Sequence, residues 1–215
     1  MDGDYLWIAY RSGSIGLSRY DKVNNTCQHY TTANALADDR ISKIYVGKDA
    51  VWFLYRGRRS EGVTKYDKRT HEWVDIKPKG ERRSGVVDIA EDGDYIWLAT
   101  SGEGLKRYHL ASGTWTNFTT LEGLAGDRIF EYSLKVDDRY VFVGTSRGFS
   151  IFDKRREKWL SYTRQDYVAD KEVIALAADG RYLWVGTRAG ISRYDKRYDE
   201  WKTYQRRSGS EQAKV

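Results

Sequence analysis

Large aromatic residues recur in this chain at a nearly fixed interval, and that interval leaves few folds open. Trp7, Trp52, Trp97, Phe142 and Trp184 follow one another at spacings of 45, 45, 45 and 42 residues. Each sits in a near-copy of one segment: DGDYLWIAY from Asp2, KDAVWFLY from Lys48, DGDYIWLAT from Asp92, DDRYVFVGT from Asp137 and DGRYLWVGT from Asp179. A second anchor follows in every copy: Tyr20-Asp21, Tyr66-Asp67, Tyr108-His109, Phe152-Asp153 and Tyr194-Asp195. Six residues after the acid slot comes a third: Cys27, Trp73, Trp115, Trp159 and Trp201. Three residues further lies a fourth: Tyr30, Ile76, Phe118, Tyr162 and Tyr204. All 8 Trp residues fall in these slots, which chance aromatic richness would not produce. A constant offset of six implies a hairpin of fixed turn length, because a changed loop would shift the register.

Each copy reads as four short strands. In the third, VVDIA, YIWLAT, LKRYH and WTNF are β-prone runs separated by Gly- and Asp-containing turns. No segment holds a helical period over three turns. A repeat of ~43 residues with four strands is the pattern of a β-propeller blade. The sequence therefore predicts an all-β, five-bladed propeller of four-stranded antiparallel blades. Residues 1–205 form a single such domain, with blades at 1–39, 40–83, 84–127, 128–170 and 171–205. The chain opens on the second strand of its first blade. The tail, 206–215, is expected to supply the missing innermost strand, with Glu211–Val215 beside Tyr5–Tyr10. The alternative is a piece of a longer array, with that tail unpaired. A closed ring predicts a monomer.

Blades pack face to face, so both sides of each sheet are covered. Burying one indole removes roughly 150–250 Å² from water, about 4–6 kcal/mol of gross stabilisation. Trp7, Trp52, Trp97, Phe142, Trp184, Trp73, Trp115, Trp159 and Trp201 are thus packing residues. Cys27 and Phe142, the two slots without an indole, are expected to mark less tightly filled contacts.

Composition excludes several classes. One Cys permits no intramolecular disulfide and no Cys-based metal cluster. No run of 18 apolar residues is present, and the opening MDGDYLWIAY has no basic region followed by an apolar stretch, so no secretion signal is expected in this chain. Net charge is +6, modest and spread along the chain. A nucleic-acid role ranks lowest, since the basic residues are interleaved with acids and the indoles are used in packing.

The repeat text, best seen in GLAGDRIFEYSLKVDDRYVFVGTSRGFSIFD from Gly123 and EVIALAADGRYLWVGTRAGISRYD from Glu172, resembles the two-component regulator propeller repeat. The likeness covers nearly the whole chain. It implies a ligand- or partner-binding module of the kind found in extracytoplasmic sensor regions of bacterial signalling proteins, hence a periplasmic or extracellular setting. The shared motif is structural and carries no specific binding residue.

No nucleophile, phosphate-loop or metal-ligand motif occurs. His29, His71 and His109 lie near equivalent hairpins of three different blades and read as turn residues. The DGD turns at Asp2 and Asp92 are too short for a calcium site and fit tight turns. The sequence points to no catalytic residue, no metal and no cofactor. The sharper signal is cationic. Loops after the second strand carry Arg11, Arg56, Arg58, Arg59, Arg147 and Arg188; loops after the fourth carry Arg40, Lys79, Arg82, Arg83, Arg128 and Lys171. Asp39, Glu61, Glu81, Glu103, Asp127 and Asp170 oppose them. Tyr10 and Tyr55 replace a Thr found in the other blades. Tyr10, Arg11, Tyr55, Arg56, Arg58, Arg59 and Arg188 are therefore candidates for an anion site, because Arg pairs with planar anions and Tyr adds a flat amphipathic surface. The competing reading is a solvated rim. The mixed-charge tips DKRTHE, DKRREK and DKRYDE, on the other face, read as solvated turns. The leading function is a non-enzymatic module presenting rigid loops to an anionic small molecule, a glycan or a protein. The alternatives are an assembly scaffold, or a glycan-active hydrolase or lyase at the channel mouth.

Overall fold

The β-prone runs become strands almost residue for residue. The computed structural model describes residues 2–10, 15–55, 62–78, 85–163 and 167–205. The first sheet contains β1 (Tyr5–Ala9), β2 (Leu17–Asp21) and β3 (Thr26–Tyr30). The second contains β4 (Ile41–Val46), β5 (Ala50–Tyr55), β6 (Val63–Asp67) and β7 (Trp73–Ile76). The third contains β8 (Val86–Asp92), β9 (Tyr95–Thr100), β10 (Leu105–His109) and β11 (Trp115–Phe118). In the fourth are β12 (Ile129–Val136), β13 (Tyr140–Thr145), β14 (Gly148–Asp153) and β15 (Lys158–Tyr162). The fifth contains β16 (Val173–Ala178), β17 (Tyr182–Thr187), β18 (Gly190–Asp195) and β19 (Glu200–Gln205). Every sheet is an antiparallel meander in chain order, with three strands in the first and four in each of the others. Among the described residues there is no helix. Residues 206–215, expected to complete the first sheet, lie outside the described residues.

The constant offset of six has a backbone cause. In each third hairpin the residue two before the third anchor adopts positive φ: Asn25 (54°), His71 (62°), Gly113 (68°), Glu157 (51°) and Asp199 (55°). One left-handed residue in a short turn fixes which residues face each other across the hairpin. Tyr20 thus opposes Cys27, Tyr66 opposes Trp73 and Tyr194 opposes Trp201. The side chain of the left-handed residue also serves the tyrosine. The Tyr20 hydroxyl donates to Asn25 Oδ1 at 2.6 Å and that of Tyr194 to Asp199 Oδ1 at 2.8 Å, and the Tyr66 hydroxyl meets His71 Nδ1 at 2.6 Å. His71 is thus part of a hairpin lock. His29 Nδ1 meets Ser18 Oγ at 3.0 Å, and His109 Nδ1 meets Ser112 Oγ at 3.0 Å.

The sheets fall into two compact units, Met1–Phe118 and Thr119–Val215. Within the first, the face of the first sheet carrying Trp7 packs on Val51, Phe53 and Tyr66 of the second. Trp7 lies 5.3 Å from Phe53 and 5.1 Å from Tyr66, centre to centre. The Trp52 face of the second sheet packs in turn on Ile89, Ile96 and Leu98 of the third. Within the second unit, the face carrying Phe142, Phe149 and Tyr162 packs on Leu176, Leu183, Val185 and Tyr194 of the fifth sheet. The same contact therefore occurs three times: the face of one sheet that carries the first anchor meets the opposite face of the next. Strand alternation supplies the two faces, because neighbours in YLWV point to opposite sides. All eight indoles are buried or half-buried.

An enclosed indole in the first-anchor slot also needs an acceptor for its N–H. The acid five residues earlier provides it: Trp7 Nε1 donates to Asp2 Oδ2 at 3.2 Å and Trp97 Nε1 to Asp92 Oδ2 at 3.1 Å. In the second sheet that position is Gly47, and Glu91 reaches over from the third. Its Oε1 accepts from Trp52 Nε1 at 2.7 Å and its Oε2 from the Lys48 amide at 3.1 Å. A Cβ at position 47 would lie 2.0 Å from Oε1, so glycine is what admits the carboxylate.

One packing expectation is corrected. Phe142 is not a loose contact: it is wholly buried and stacks on Phe149 at 6.3 Å and 12°. A phenyl ring needs no acceptor, so Asp137, the acid of its slot, is free for another partner. Cys27, by contrast, is exposed.

Gly47→Ala should expel Glu91 and leave the Trp52 N–H unpaired in the interior. A lost buried hydrogen bond costs about 1–3 kcal/mol, and urea unfolding should show a lowered midpoint of that order. An unchanged midpoint would remove Glu91 as the determinant of glycine there.

Candidate functional site

Four of the seven residues expected to form an anion site, Arg11, Arg56, Arg58 and Arg59, lie outside the described residues, as do Lys79, Arg82, Arg83, Glu61 and Glu81. Tyr55 points inward: it is buried, and its hydroxyl donates to Thr64 Oγ1 and accepts from the Ala37 amide at 3.2 Å. Tyr10 is half-buried and bonded to Ser18 Oγ at 2.8 Å. Arg188 is open to solvent, with Nε 3.7 Å from Glu172. Several of the neighbouring loop charges have local partners. Arg40 pairs with Asp38, and Lys106 with Glu103. Asp39 and Asp127 cap the Thr32 and Thr120 amides, and Arg128 stacks on Phe130. Arg147 and Lys171 are exposed.

The structure instead opens a cavity at the hairpin tips of the fourth and fifth sheets, on the face read from sequence as solvated turns. It has a volume of about 380 Å³. Its origin is one slot. Opposite the first anchor, on the next strand, stand Arg19, Lys65, Arg107 and Arg193 in four of the sheets. In three of them the guanidinium lies over the anchor ring, at 5.6 Å for Trp7, 5.4 Å for Trp97 and 5.9 Å for Trp184. In the fourth sheet the residue opposite Phe142 is Ile151. It is too short to cover the tip, and it lines the cavity.

The walls are aromatic and the rim is basic. Tyr140, Trp159, Leu160 and Tyr194 form the walls, and Arg139, Arg156, Lys158, Lys196 and Arg197 face two carboxylates, Asp153 and Asp199. Both carboxylates are committed. Asp153 accepts from Arg139 Nη2 at 3.2 Å and from the Arg155 and Arg156 amides. Burial opposes its ionisation, but these bonds hold its carboxyl below the usual range. Asp199 accepts from Tyr194 at 2.8 Å and Tyr162 at 3.5 Å. Burial, reinforced by the Asp199 charge, pushes the Tyr162 hydroxyl up to about 12, and burial with the Asp199 hydrogen bond raises Tyr194 as well. Both tyrosines are thus neutral donors at ordinary pH.

Lys196 joins this site to a neighbouring hollow of about 560 Å³ lined by Asp137, Asp138, Asp179 and Arg139 among others. Its Nζ bonds Asp137 Oδ2 at 2.9 Å and the Asp179 carbonyl at 2.8 Å, and lies 5.8 Å from the Phe142 ring. Asp137, which has no indole to serve, thus fixes a cation beside the cavity, as Asp2 holds Lys68 while also accepting from Trp7. Burial works against the Asp137 charge, but Lys196 and the Tyr140 and Arg139 amides outweigh it and lower the carboxyl. The cations were visible in DKRREK and DKRYDE. Their convergence was not, because it depends on two sheets meeting. The only sequence signal was Ile151 in a slot otherwise occupied by Arg or Lys.

No protein-family model matches the chain, and no curated protein matches it in sequence. Solved structures do resemble it. The extracellular domain of the hybrid two-component system BT3049 from B. thetaiotaomicron matches with a TM-score of 0.68 at 15% identity, over 94% of this chain and 29% of that one. The corresponding domain of BT4673 from the same organism matches at 0.69 and 22%, over 95% and 27%. The computationally designed Ika8 protein matches at 0.54 and 14%, over 77% and 50%. The fold is shared with all three. This chain spans less than a third of either extracellular domain.

Because the Asp137 carboxyl is lowered in the fold, its contribution is complete above the ordinary Asp value of about 3.9 and is lost as pH falls through the lower folded value. Asp137→Asn keeps the acceptor for the Tyr140 and Arg139 amides but not the charge. Urea midpoints should separate variant and parent at pH 6 and converge towards pH 3. A gap that persists in acid would mean that Lys196 does not stabilise the charged form.

Proposed function

We propose that this chain is a non-enzymatic recognition module that takes an anionic ligand in the cavity over Ile151. The carrying observation is that cavity itself: a space left by one short side chain, walled by aromatic rings and rimmed by five cations against two committed carboxylates. Arg offers paired donors to carboxylate, sulfate or phosphate. Tyr140 and Trp159 give a flat apolar seat for the body of a small molecule. Asp153 and Asp199 are held by hydrogen bonds within the protein, which supports binding over acid–base catalysis. The likeness to extracellular domains of two-component proteins supports a sensor-type role and a periplasmic or extracellular setting. Residues 1–205 are read as five propeller blades, on the strength of five equivalent sheets. The candidates read from the sequence, Tyr10, Arg11, Tyr55, Arg56, Arg58, Arg59 and Arg188, stand as a second proposal for binding an anionic partner.

The test is calorimetric titration with inorganic sulfate, inorganic phosphate and glucuronate. At least one should bind, and Arg156→Ala and Lys158→Ala should each weaken it by about tenfold, some 1.4 kcal/mol. Ile151→Arg, which restores the residue type found in three other sheets, should abolish binding. Binding unaffected by all three changes would move the site elsewhere, and no binding to any of the anions would remove it.

A further inference from the structure

The fourth sheet, which alone lacks a cation opposite its first anchor, carries two others at positions where the remaining sheets have none. Three residues after the acid slot of the second anchor stand Asn24, Thr70, Ser112, Arg156 and Tyr198, and five after it Thr26, Glu72, Thr114, Lys158 and Glu200. Charge has thus been taken from the inside of this hairpin tip and added to its outside. Ile151 is 4% exposed, and Tyr194, which lines the same cavity, is 6% exposed. Arg156, Lys158 and Arg197 are open to solvent. The cavity therefore has an apolar inner end and a cationic outer end. Leu160, opposite Ile151 on the next strand and half exposed, continues the apolar wall towards the opening.

The pairing of charges around that space leaves an excess. Arg139 is taken by Asp153, and Lys196 by Asp137. Among the described residues no carboxylate pairs with Arg156, Lys158 or Arg197, and Arg197 lies over the Tyr198 ring at 5.4 Å. Asp199 is the one further acid lining the cavity, and it accepts from Tyr194 at 2.8 Å. Glu157 and Glu200, neighbours of these cations in sequence, do not line it. Three cations against one carboxylate leave two positive charges for a ligand to meet, and a monoanion answers half of them. The volume of about 380 Å³ lies near the low end for small-molecule sites and accommodates one ring with its head group.

We propose that the cavity over Ile151 takes a phosphate monoester of a small apolar ring compound, body first. The ring rests on Ile151, Leu160 and Tyr194, and the dianionic phosphate meets Arg156, Lys158 and Arg197. This assignment rests on the reading of the same cavity as an anion site, and adds to it a double charge on one head group and an apolar body. A phosphate monoester is the class that fits, because its second proton leaves near pH 6, to give close to two charges at neutral pH, whereas a sulfate ester or a single carboxylate carries one. Arg supplies paired donors to the oxygens of such a head, and Lys a point charge beside it. The charged groups facing it are the five cations and two carboxylates already named, none of them histidine.

Calorimetric titration of the full chain with phenyl phosphate, phenyl sulfate and inorganic phosphate, at pH 7.5 and pH 5.0, tests it. At pH 7.5 phenyl phosphate should bind about tenfold more tightly than either of the others, the gain expected from one further charge-assisted contact. At pH 5.0, where the monoester carries mostly one charge, its advantage over phenyl sulfate should shrink to about twofold or less. Phenyl sulfate keeps its charge at both values and so reports any titration of the protein. Arg156→Ser with Lys158→Thr installs the pair found in the third sheet at two exposed positions. It should bring phenyl phosphate and phenyl sulfate to within about twofold of each other at pH 7.5, with far-UV circular dichroism unchanged. Equal binding of phenyl phosphate and phenyl sulfate by the parent at pH 7.5 would overturn the dianion and leave the anion site standing. Inorganic phosphate binding as tightly as phenyl phosphate would overturn the apolar body. A tyrosine-phosphorylated peptide binding far more tightly than phenyl phosphate would give the head group to a protein partner and overturn the small ligand. No binding by any probe would remove the anion site itself, and this assignment with it.

Discussion

An indole pressed between two sheets is the contact on which this structure depends. The ring supplies apolar area to the sheet behind it, and its N–H demands an acceptor that the same interior must provide. Asp2 and Asp92 meet that demand from within their own repeats. Glu91 meets it for Trp52 from the neighbouring sheet, through the opening that Gly47 leaves. The acid slot of the DG turn is therefore as much a part of the core as the ring. One conserved geometry of ring, acid and left-handed hairpin residue is enough to repeat a sheet, because each element fixes the position of the next.

Departures from the repeat are where the chain gains chemistry. Phe142 leaves Asp137 with no indole to serve, while the pairing of that acid with Lys196 matches the one between Asp2 and Lys68. Ile151 replaces an Arg or Lys, and a cavity opens at the tips of two sheets. Neither change weakens the packing, since Phe142 is fully enclosed. The cavity combines cations and aromatic rings because the tips of two hairpins, each carrying its own turn residues, happen to border the vacated slot. A fold shared both with extracellular domains of two-component proteins and with a designed protein does not specify a task. The task has to be read from these local departures.

A sheet that is apolar on both faces suits repetition, since every interior copy is covered twice. Ile191, Tyr204 and Leu6 are exposed where their counterparts in the other sheets are enclosed. Exposed aliphatic and aromatic groups of this kind are normally found where another surface lands.

The sequence alone determined the strands, their order and the five equivalent sheets. The information is local: alternation sets the two faces of a strand, and a fixed hairpin offset sets which residues face each other. It also identified Trp7, Trp52, Trp97, Trp73 and Trp201 as packing residues, since only stacked sheets explain indoles at one interval. What only the tertiary structure decided is where charges meet. Tyr55 looked like a surface residue at the end of its strand, yet its hydroxyl is bonded inside. Arg156 and Arg197 looked like separate solvated turns, yet they line one cavity together with Arg139. Packing slots repeat because every sheet faces the same neighbour, whereas a binding site requires side chains from distant repeats to converge, and convergence is set by the three-dimensional meeting of sheets rather than by any one segment.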